Sequence, residues 1–378
     1  MPNAVRVVVA AGGTAGHVVP AMAVADELRA SGAEVSFLGT RERIEAELVP
    51  AAGYEIDFIA VRGIDRRNPL RAAAAALRAA TAIGGARRAL HRRRADAVMG
   101  GGGFVAGPAG LAAVSLRLPL VLTEADSHLG LANRILARSA QRVCLAFPIE
   151  GREGERYEVT GRPVPAAVLG ADRGRARQRF AIPDEARCLL VVGGSQGART
   201  INRCAIAAFA ESRERGPDDL HVLHVCGRRD YEELRERLDR ATGGDRYRLL
   251  AYEPDLGDCL AACDLVLARS GGSIFEFAAA GRPAILVPYP HATADHQTAN
   301  ARWMADGGAA VVISDSELGP ALLAESVEGL LGDPERLRRM AAASLALARP
   351  DAAARIAEEV LAAAASARRG DRQEGTTA

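Results

Sequence analysis

Short apolar runs rich in β-branched residues recur along the chain, separated by amphipathic stretches rich in Ala, Leu and Arg. In the first half the runs occupy 5–10, 34–38, 56–60, 96–99, 119–122, 142–145 and 157–160. In the second half they occupy 187–192, 220–225, 247–250, 264–267, 284–287 and 310–313. Strands covered by helices on both faces read as continuous apolar runs, so this rhythm predicts an α/β protein with parallel, doubly wound sheets. The segment Thr160-Gly161-Arg162-Pro163-Val164-Pro165 breaks the rhythm. Its two prolines halt helix and strand alike, and it reads as an interdomain linker. Ala-rich helical sequence covers 334–368, and the polar tail 369–378 is expected to be disordered.

Two of the strands run directly into glycine-rich turns that precede helical patterns. One is Gly12-Gly13-Thr14-Ala15-Gly16-His17; the other is Gly193-Gly194-Ser195-Gln196-Gly197, about half a chain later. A turn of this kind exposes unpaired N–H groups at the positive end of a helix and suits a phosphate or a developing negative charge. Two such turns suggest two similar Rossmann-like domains with a cleft between them. The first departs from a dinucleotide fingerprint. Phe37-Leu38-Gly39-Thr40 stands where a ribose-binding acid belongs, and His17 opens the helix. A helix N-terminus disfavours the protonated imidazole, leaving a neutral ring able to take up a proton.

A third cluster, Gly100 to Gly103 followed by Phe104, suggests either a loop facing a pyrophosphate or one pressed against another backbone. The fourth is Arg269-Ser270-Gly271-Gly272-Ser273-Ile274-Phe275-Glu276. Its N–H groups suit a diphosphate, and the Glu276 carboxylate, about one turn into the helix, is able to accept from both hydroxyls of a ribose.

Composition narrows the chemistry. The chain has 378 residues and a net charge of +1, which gives no reason to expect nucleic acid. All 48 basic residues are Arg, which excludes a Walker-type lysine and a lysine Schiff base. The six cysteines form no C-x-x-C pair and fit reduced, buried thiols of a cytoplasmic protein. No signal peptide or run long enough to span a bilayer is expected.

Taken together, AGGTAGHVVP, GGGFVAGPAG, TEADSHLGLANR, VTGRPVP, GGSQGARTIN, RSGGSIFEFAAAGRPAILVP and PHATADHQTANA resemble the MurG family of glycosyltransferase family 28. These enzymes transfer N-acetylglucosamine from UDP-GlcNAc in peptidoglycan synthesis. The resemblance implies the GT-B fold. Residues 1–161 would form an acceptor- and membrane-binding domain and 162–340 a UDP-sugar domain. Residues 341–368 would return to the first domain, and 369–378 would be a disordered tail. It implies that Thr14, Ala15 and Gly16 lie on the acceptor side near the donor sugar, with His17 as base. Ser195, Gln196 and Gly197 would face the diphosphate, and Glu253 would lie where backbone groups read uracil. Gly272, Ser273, Ile274 and Glu276 would hold diphosphate and ribose, and Gln297 would contact the sugar.

Several positions depart from the family pattern. Asp126 stands where an Asn is common, and is a possible second carboxylate base. Pro165 replaces a linker Arg for which Arg162 would compensate, and His296 replaces a Gln. The implied reaction is inverting transfer from UDP-GlcNAc to the C4 hydroxyl of the MurNAc unit of lipid I, giving lipid II. Without a D-x-D triplet, no metal or other cofactor is expected to be obligatory.

The acceptor calls for a peripheral enzyme on the cytoplasmic face of the membrane. Residues 62–94 offer an Arg-rich amphipathic segment for an anionic surface, with Leu70, Leu77, Arg71 and Arg78 facing it. The alternatives are another GT-B transferase with a different nucleotide sugar or lipid acceptor, and a non-catalytic nucleotide-sugar-binding subunit.

Overall fold

A computed structural model describes residues 4–61, 69–194, 197–212, 219–241, 246–292 and 295–374. Side chains are not described for 69–79 or 370–374. The chain divides into two units, Met1–Pro163 with Asp351–Ala378, and Val164–Pro350.

The first unit contains β1 (Arg6–Ala10), β2 (Glu34–Gly39), β3 (Glu55–Phe58), β4 (Ala97–Gly100), β5 (Leu120–Glu124), β6 (Arg142–Leu145) and β7 (Tyr157–Val159). They form one sheet in the order β3-β2-β1-β4-β5-β6-β7. The pairings are parallel, with Val7 opposite Val35 on one side and Ala97 on the other. Alternation along β1 feeds two cores. Val7 and Val9 pack with Val18, Leu28 and Phe37 on one face; Val8 and Ala10 pack with Leu90, Val105 and Leu122 on the other. Burial on both faces explains why these strands read as unbroken apolar runs.

The second unit contains β8 (Arg187–Val192), β9 (Leu220–Val225), β10 (Tyr247–Leu250), β11 (Leu265–Ala268), β12 (Ala284–Leu286) and β13 (Ala310–Val312). Their order is β10-β9-β8-β11-β12-β13, again parallel. Each strand lies within a residue or two of its expected place.

The C-terminal segments depart from expectation in two respects. The helix Pro334–Leu347 stays with the second sheet, where the Ser344 hydroxyl donates to the Phe277 and Arg282 carbonyls at 3.3 and 3.1 Å. The return to the first unit therefore begins at Asp351 rather than at 341. There the helix Ala352–Glu374 buries Ile356, Ala357, Val360 and Ala364 in the first core. Its ion pairs Arg142–Glu359 and Arg355–Glu158 fasten it to the strand ends. The backbone of 369–374 is helical where a disordered tail is expected. Arg368 ties down the turn before it, pairing with Asp96 at 2.9 Å and donating to the Ala4 carbonyl at 3.3 Å.

All six cysteines are free and buried. Among the described residues no helix is long and apolar enough to cross a membrane.

Candidate active site

Strand order pairs the four glycine loops. In the first sheet β1 lies beside β4, so the turn after Ala10 and the turn after Gly100 flank one crevice at the carboxyl ends of the strands. In the second sheet β8 lies beside β11, which does the same for the turns after Val192 and Ala268. Both are topological switch points, the places where open α/β sheets bind ligands.

In the first unit the helix Ala15–Ala30 begins after Thr14, whose side chain makes no capping hydrogen bond. Thr14 and Gly16 are exposed, and the first-turn N–H groups of Ala15 and Gly16 have no helical partner by geometry. His17 is half-buried in that same turn. Burial first, then the positive charge of Arg162, holds its pKa below the ordinary 6.5; the charge of Asp126 opposes them. The neutral imidazole is thus favoured, as a base requires. Arg162 is itself buried and donates from Nη2 to the Gly16 carbonyl.

The third glycine cluster is a packing device for this turn. At Gly103, with φ +76°, a Cβ would overlap the Gly12 carbonyl oxygen. At Gly102 it would lie 2.7 Å from His17 Nδ1, and at Gly101 it would lie 3.0 Å from both Ala11 and Ala21. Backbone crossing backbone accounts for Gly103, and close side-chain packing accounts for Gly100, Gly101 and Gly102.

Two acids that sequence reasoning gave no role organise the site. The fully buried Glu45 accepts from the Gly13 N–H at 3.0 Å, and from the N–H and hydroxyl of Thr40 at 3.0 and 2.7 Å. It ties the turn after β1 to the turn after β2. In the sequence it reads only as an acid heading a short helix. Glu124, buried at the end of β5, accepts from the N–H of Gly130 at 2.8 Å, Asn133 Nδ2 at 2.9 Å and the N–H of Asp126 at 3.3 Å. Burial pushes its carboxyl up, against those hydrogen bonds. It shapes the loop that carries Asp126, whose charge reaches His17.

In the second unit Gly193 folds back on Ala198, and the Gly197 N–H donates to the Gly194 carbonyl at 2.9 Å. Ser195 and Gln196 lie outside the described residues. Across the switch point the buried Ser270 donates to the Gln297 carbonyl at 2.7 Å, and Asn300 Nδ2 donates to the Ser270 carbonyl at 3.0 Å. Gln297 Oε1 accepts from the Tyr289 N–H at 2.9 Å, which leaves its Nε2 on the Gly271 side, 4.0 Å from where a Cβ there would stand. Gly272, Ser273 and Glu276 are half-buried, whereas the Ile274 side chain is fully buried and offers only its backbone. Glu253 is drawn to Arg179, at 2.8 and 3.0 Å, and to the Asp255 N–H. Its carboxylate is therefore occupied.

Of the expected membrane-facing residues, Leu70, Leu77, Arg71 and Arg78 lie on the helix Pro69–Arg92, but their side chains are outside the described set.

Residues 7–145 match the N-terminal domain of glycosyltransferase family 28, and residues 188–356 match its C-terminal domain. The chain is 41% identical over 367 residues to the UDP-N-acetylglucosamine–N-acetylmuramyl-(pentapeptide) pyrophosphoryl-undecaprenol N-acetylglucosamine transferase of Moorella thermoacetica, covering 94% of this chain and 98% of that one. It is 41% identical over 352 residues to the transferase of the same name from Halorhodospira halophila, covering 93% and 96%. Among solved structures, MurG of Acinetobacter baumannii superposes with a TM-score of 0.74 at 31% identity, covering 94% of this chain and 99% of that one. With both family domains matched in order and relatives aligned along almost their whole length, the chain belongs to glycosyltransferase family 28, in its MurG branch.

Proposed function

We propose that the chain transfers N-acetylglucosamine from UDP-GlcNAc to the C4 hydroxyl of the MurNAc unit of lipid I, with inversion, to give lipid II. The observation that carries this reading is the pairing of glycine loops at two switch points, one holding a neutral-favoured histidine and the other a glycine turn that opens the helix of Glu276. It is supported by the full-length likeness to transferases named for that reaction.

His17 takes the proton as the acceptor oxygen attacks the anomeric carbon. Asp126 and Arg162 tune its readiness by opposing charges. The bond from that carbon to the diphosphate breaks, and UDP leaves with the electron pair. N–H groups of the 271–273 turn meet its charge, with the turn after β8 beside them, in a chain that has no lysine to do so. Glu276 holds the ribose hydroxyls and Gln297 Nε2 donates to the sugar.

The decisive assay follows UDP release and lipid-linked product with UDP-GlcNAc, UDP-Glc, UDP-Gal and UDP-GalNAc. Turnover with UDP-GlcNAc and lipid I alone is expected. Preference for another sugar would move the chain to a different specificity, and tight UDP binding without turnover would make it a non-catalytic subunit. Glu276→Ala is expected to weaken UDP binding about tenfold, the cost of losing charge-assisted hydrogen bonds. Unchanged affinity by calorimetry would remove Glu276 from the ribose site.

The described surface also carries an apolar face suited to an anionic membrane. Leu111 and Val114 on the helix Gly103–Ser115, and Leu131 and Ile135 on Leu131–Leu136, are all exposed. The two helices meet where Gly110 faces Leu136, and exposed Arg117, Arg134 and Arg138 accompany them. Apolar insertion with flanking arginines fits the cytoplasmic leaflet. Co-sedimentation should fall when anionic lipid is omitted and in a Leu131→Asp/Ile135→Asp variant. Binding indifferent to both would exclude this face.

A further inference from the structure

We propose that His224 is a positioning residue for the donor site, acting through Asn202 on the backbone from which the second glycine turn is built. The inference rests on reading that turn as the diphosphate site.

His224 lies on β9, fully buried, with Nδ1 2.8 Å from the Tyr247 hydroxyl and Nε2 3.0 Å from Asn202 Oδ1. Asn202, also fully buried, sits in the helix Arg199–Ile206 that follows the glycine turn. Its Nδ2 donates to the Cys226 carbonyl at 2.8 Å and to Asp230 Oδ2 at 3.0 Å. Those two bonds consume both amide protons, so Oδ1 must accept. His224 therefore carries its proton on Nε2, and Nδ1 accepts from the Tyr247 hydroxyl. The direction of every bond in the chain follows, from Tyr247 through His224 and Asn202 to Cys226 and Asp230.

The far end of this chain meets the glycine turn. Gly197, with φ +71°, lies so close to the Cys226 carbonyl that a Cβ would overlap it, and that Cβ would stand 3.5 Å from Asn202 Nδ2. The Cys226 carbonyl is thus held by the Asn202 amide while Gly197 lies against it. An amide turned the other way would set Oδ1 against the Cys226 oxygen and the Asp230 carboxylate. The Nε2–H of His224 adds to these two acceptors by donating to Oδ1, so all three groups hold the amide in the observed orientation. Burial pushes the His224 pKa down to about 3, so that form is present throughout the neutral range. The exposed guanidinium groups of Arg199 and Arg229 meet the Asp230 charge from outside, and Oδ2 accepts from both Asn202 Nδ2 at 3.0 Å and Arg229 Nη2 at 3.2 Å.

The test compares His224→Phe, His224→Gln, Tyr247→Phe and Glu276→Ala with the wild-type enzyme, by UDP calorimetry and by steady-state kinetics with each substrate varied. His224→Phe removes the donor and is expected to raise the Kd for UDP and the KM for UDP-GlcNAc about tenfold, leaving the KM for lipid I within twofold. His224→Gln, whose amide again offers a donor to Asn202 and an acceptor to Tyr247, is expected to restore affinity to within about threefold of wild type. A general loss of folded enzyme would lower activity without separating the two KM values, and Gln would not rescue it. If His224→Phe does not fold, Tyr247→Phe carries the comparison, with a smaller rise in the Kd for UDP expected. Unchanged UDP affinity in the folded variants, with Glu276→Ala impaired, overturns the role of His224 alone. Unchanged affinity in all of them, Glu276→Ala included, overturns the placement of the donor and the inference with it.

Discussion

Replacing His17 with alanine is expected to lower kcat by roughly 10²- to 10⁴-fold, the span that general-base catalysis supplies, while UDP affinity, which we propose is set in the second unit, is expected to stay within a factor of about two. The pH profile gives a sharper signature. Burial and Arg162 hold the imidazole below its ordinary 6.5, so the acid limb of kcat/KM should lie below that value. Activity is retained while the ring is neutral and falls as it gains a proton. Arg162→Ala removes a lowering influence and should move the limb to higher pH. Asp126→Asn removes a raising one and should move it lower. The same sign governs stability. A histidine with a depressed folded pKa contributes fully above its unfolded value, and that contribution is lost as pH falls. Near-normal kcat in His17→Ala, or a limb that ignores both charge substitutions, would transfer the role of base to another group.

Gly103→Ala should be the most damaging single methyl group in the first unit. It combines φ +76°, which costs an alanine about 1–2 kcal/mol, with overlap of the Gly12 carbonyl, so a total loss of about 4 kcal/mol or more is expected. Gly194→Ala is the informative comparison. Its φ is +80°, but no atom of the described residues beyond its chain neighbours lies within 4 Å of the added carbon, so the conformational cost of about 1–2 kcal/mol is the one expected. Denaturant midpoints at equal m-values would measure the difference. Equal destabilisation would show that the two loops do not cross as closely as their backbones indicate. The crossing also has a functional consequence. Gly102 and Gly103 give His17 and the Gly12 turn their places, so a shift here should cost kcat as well as stability.

Much of the architecture was legible along the chain because strands buried on both faces leave a local trace. The β-branched runs around Val7–Val9 and Leu189–Val191 identify themselves within a single window. The glycine turns at Gly12 and Gly193 were legible for a similar reason, since strand, turn and helix are contiguous. The third cluster was ambiguous. Four glycines report that something comes close without saying what, and only the pairing of β1 with β4 identifies the neighbour as the turn at Gly12. Glu45 and Glu124 carry no signal along the chain, because an acid near a helix start or strand end is usually solvated. Their burial and backbone partners follow from contacts that no periodicity encodes. The helical backbone of 369–374 was not legible because the turn before it is tied down by Arg368, whose partners Ala4 and Asp96 are far away in sequence.

The division follows the range of the forces involved. Residue order alone specified two doubly wound parallel sheets, the glycine turns and the histidine at a helix start, since apolar periodicity, missing side chains and helix dipoles act over a few neighbouring residues. The company each turn keeps was settled only in three dimensions. Strand order set the turn at Gly12 against the one at Gly103, and the Gly193 turn across from Ser270. It placed Arg162 and Asp126 where their charges act on His17, and it lined up Tyr247, His224 and Asn202 in a single hydrogen-bond chain. Close backbone approach, desolvation and hydrogen-bond direction depend on which groups meet in space, and here they meet only because parallel sheets bring distant strand ends to one edge.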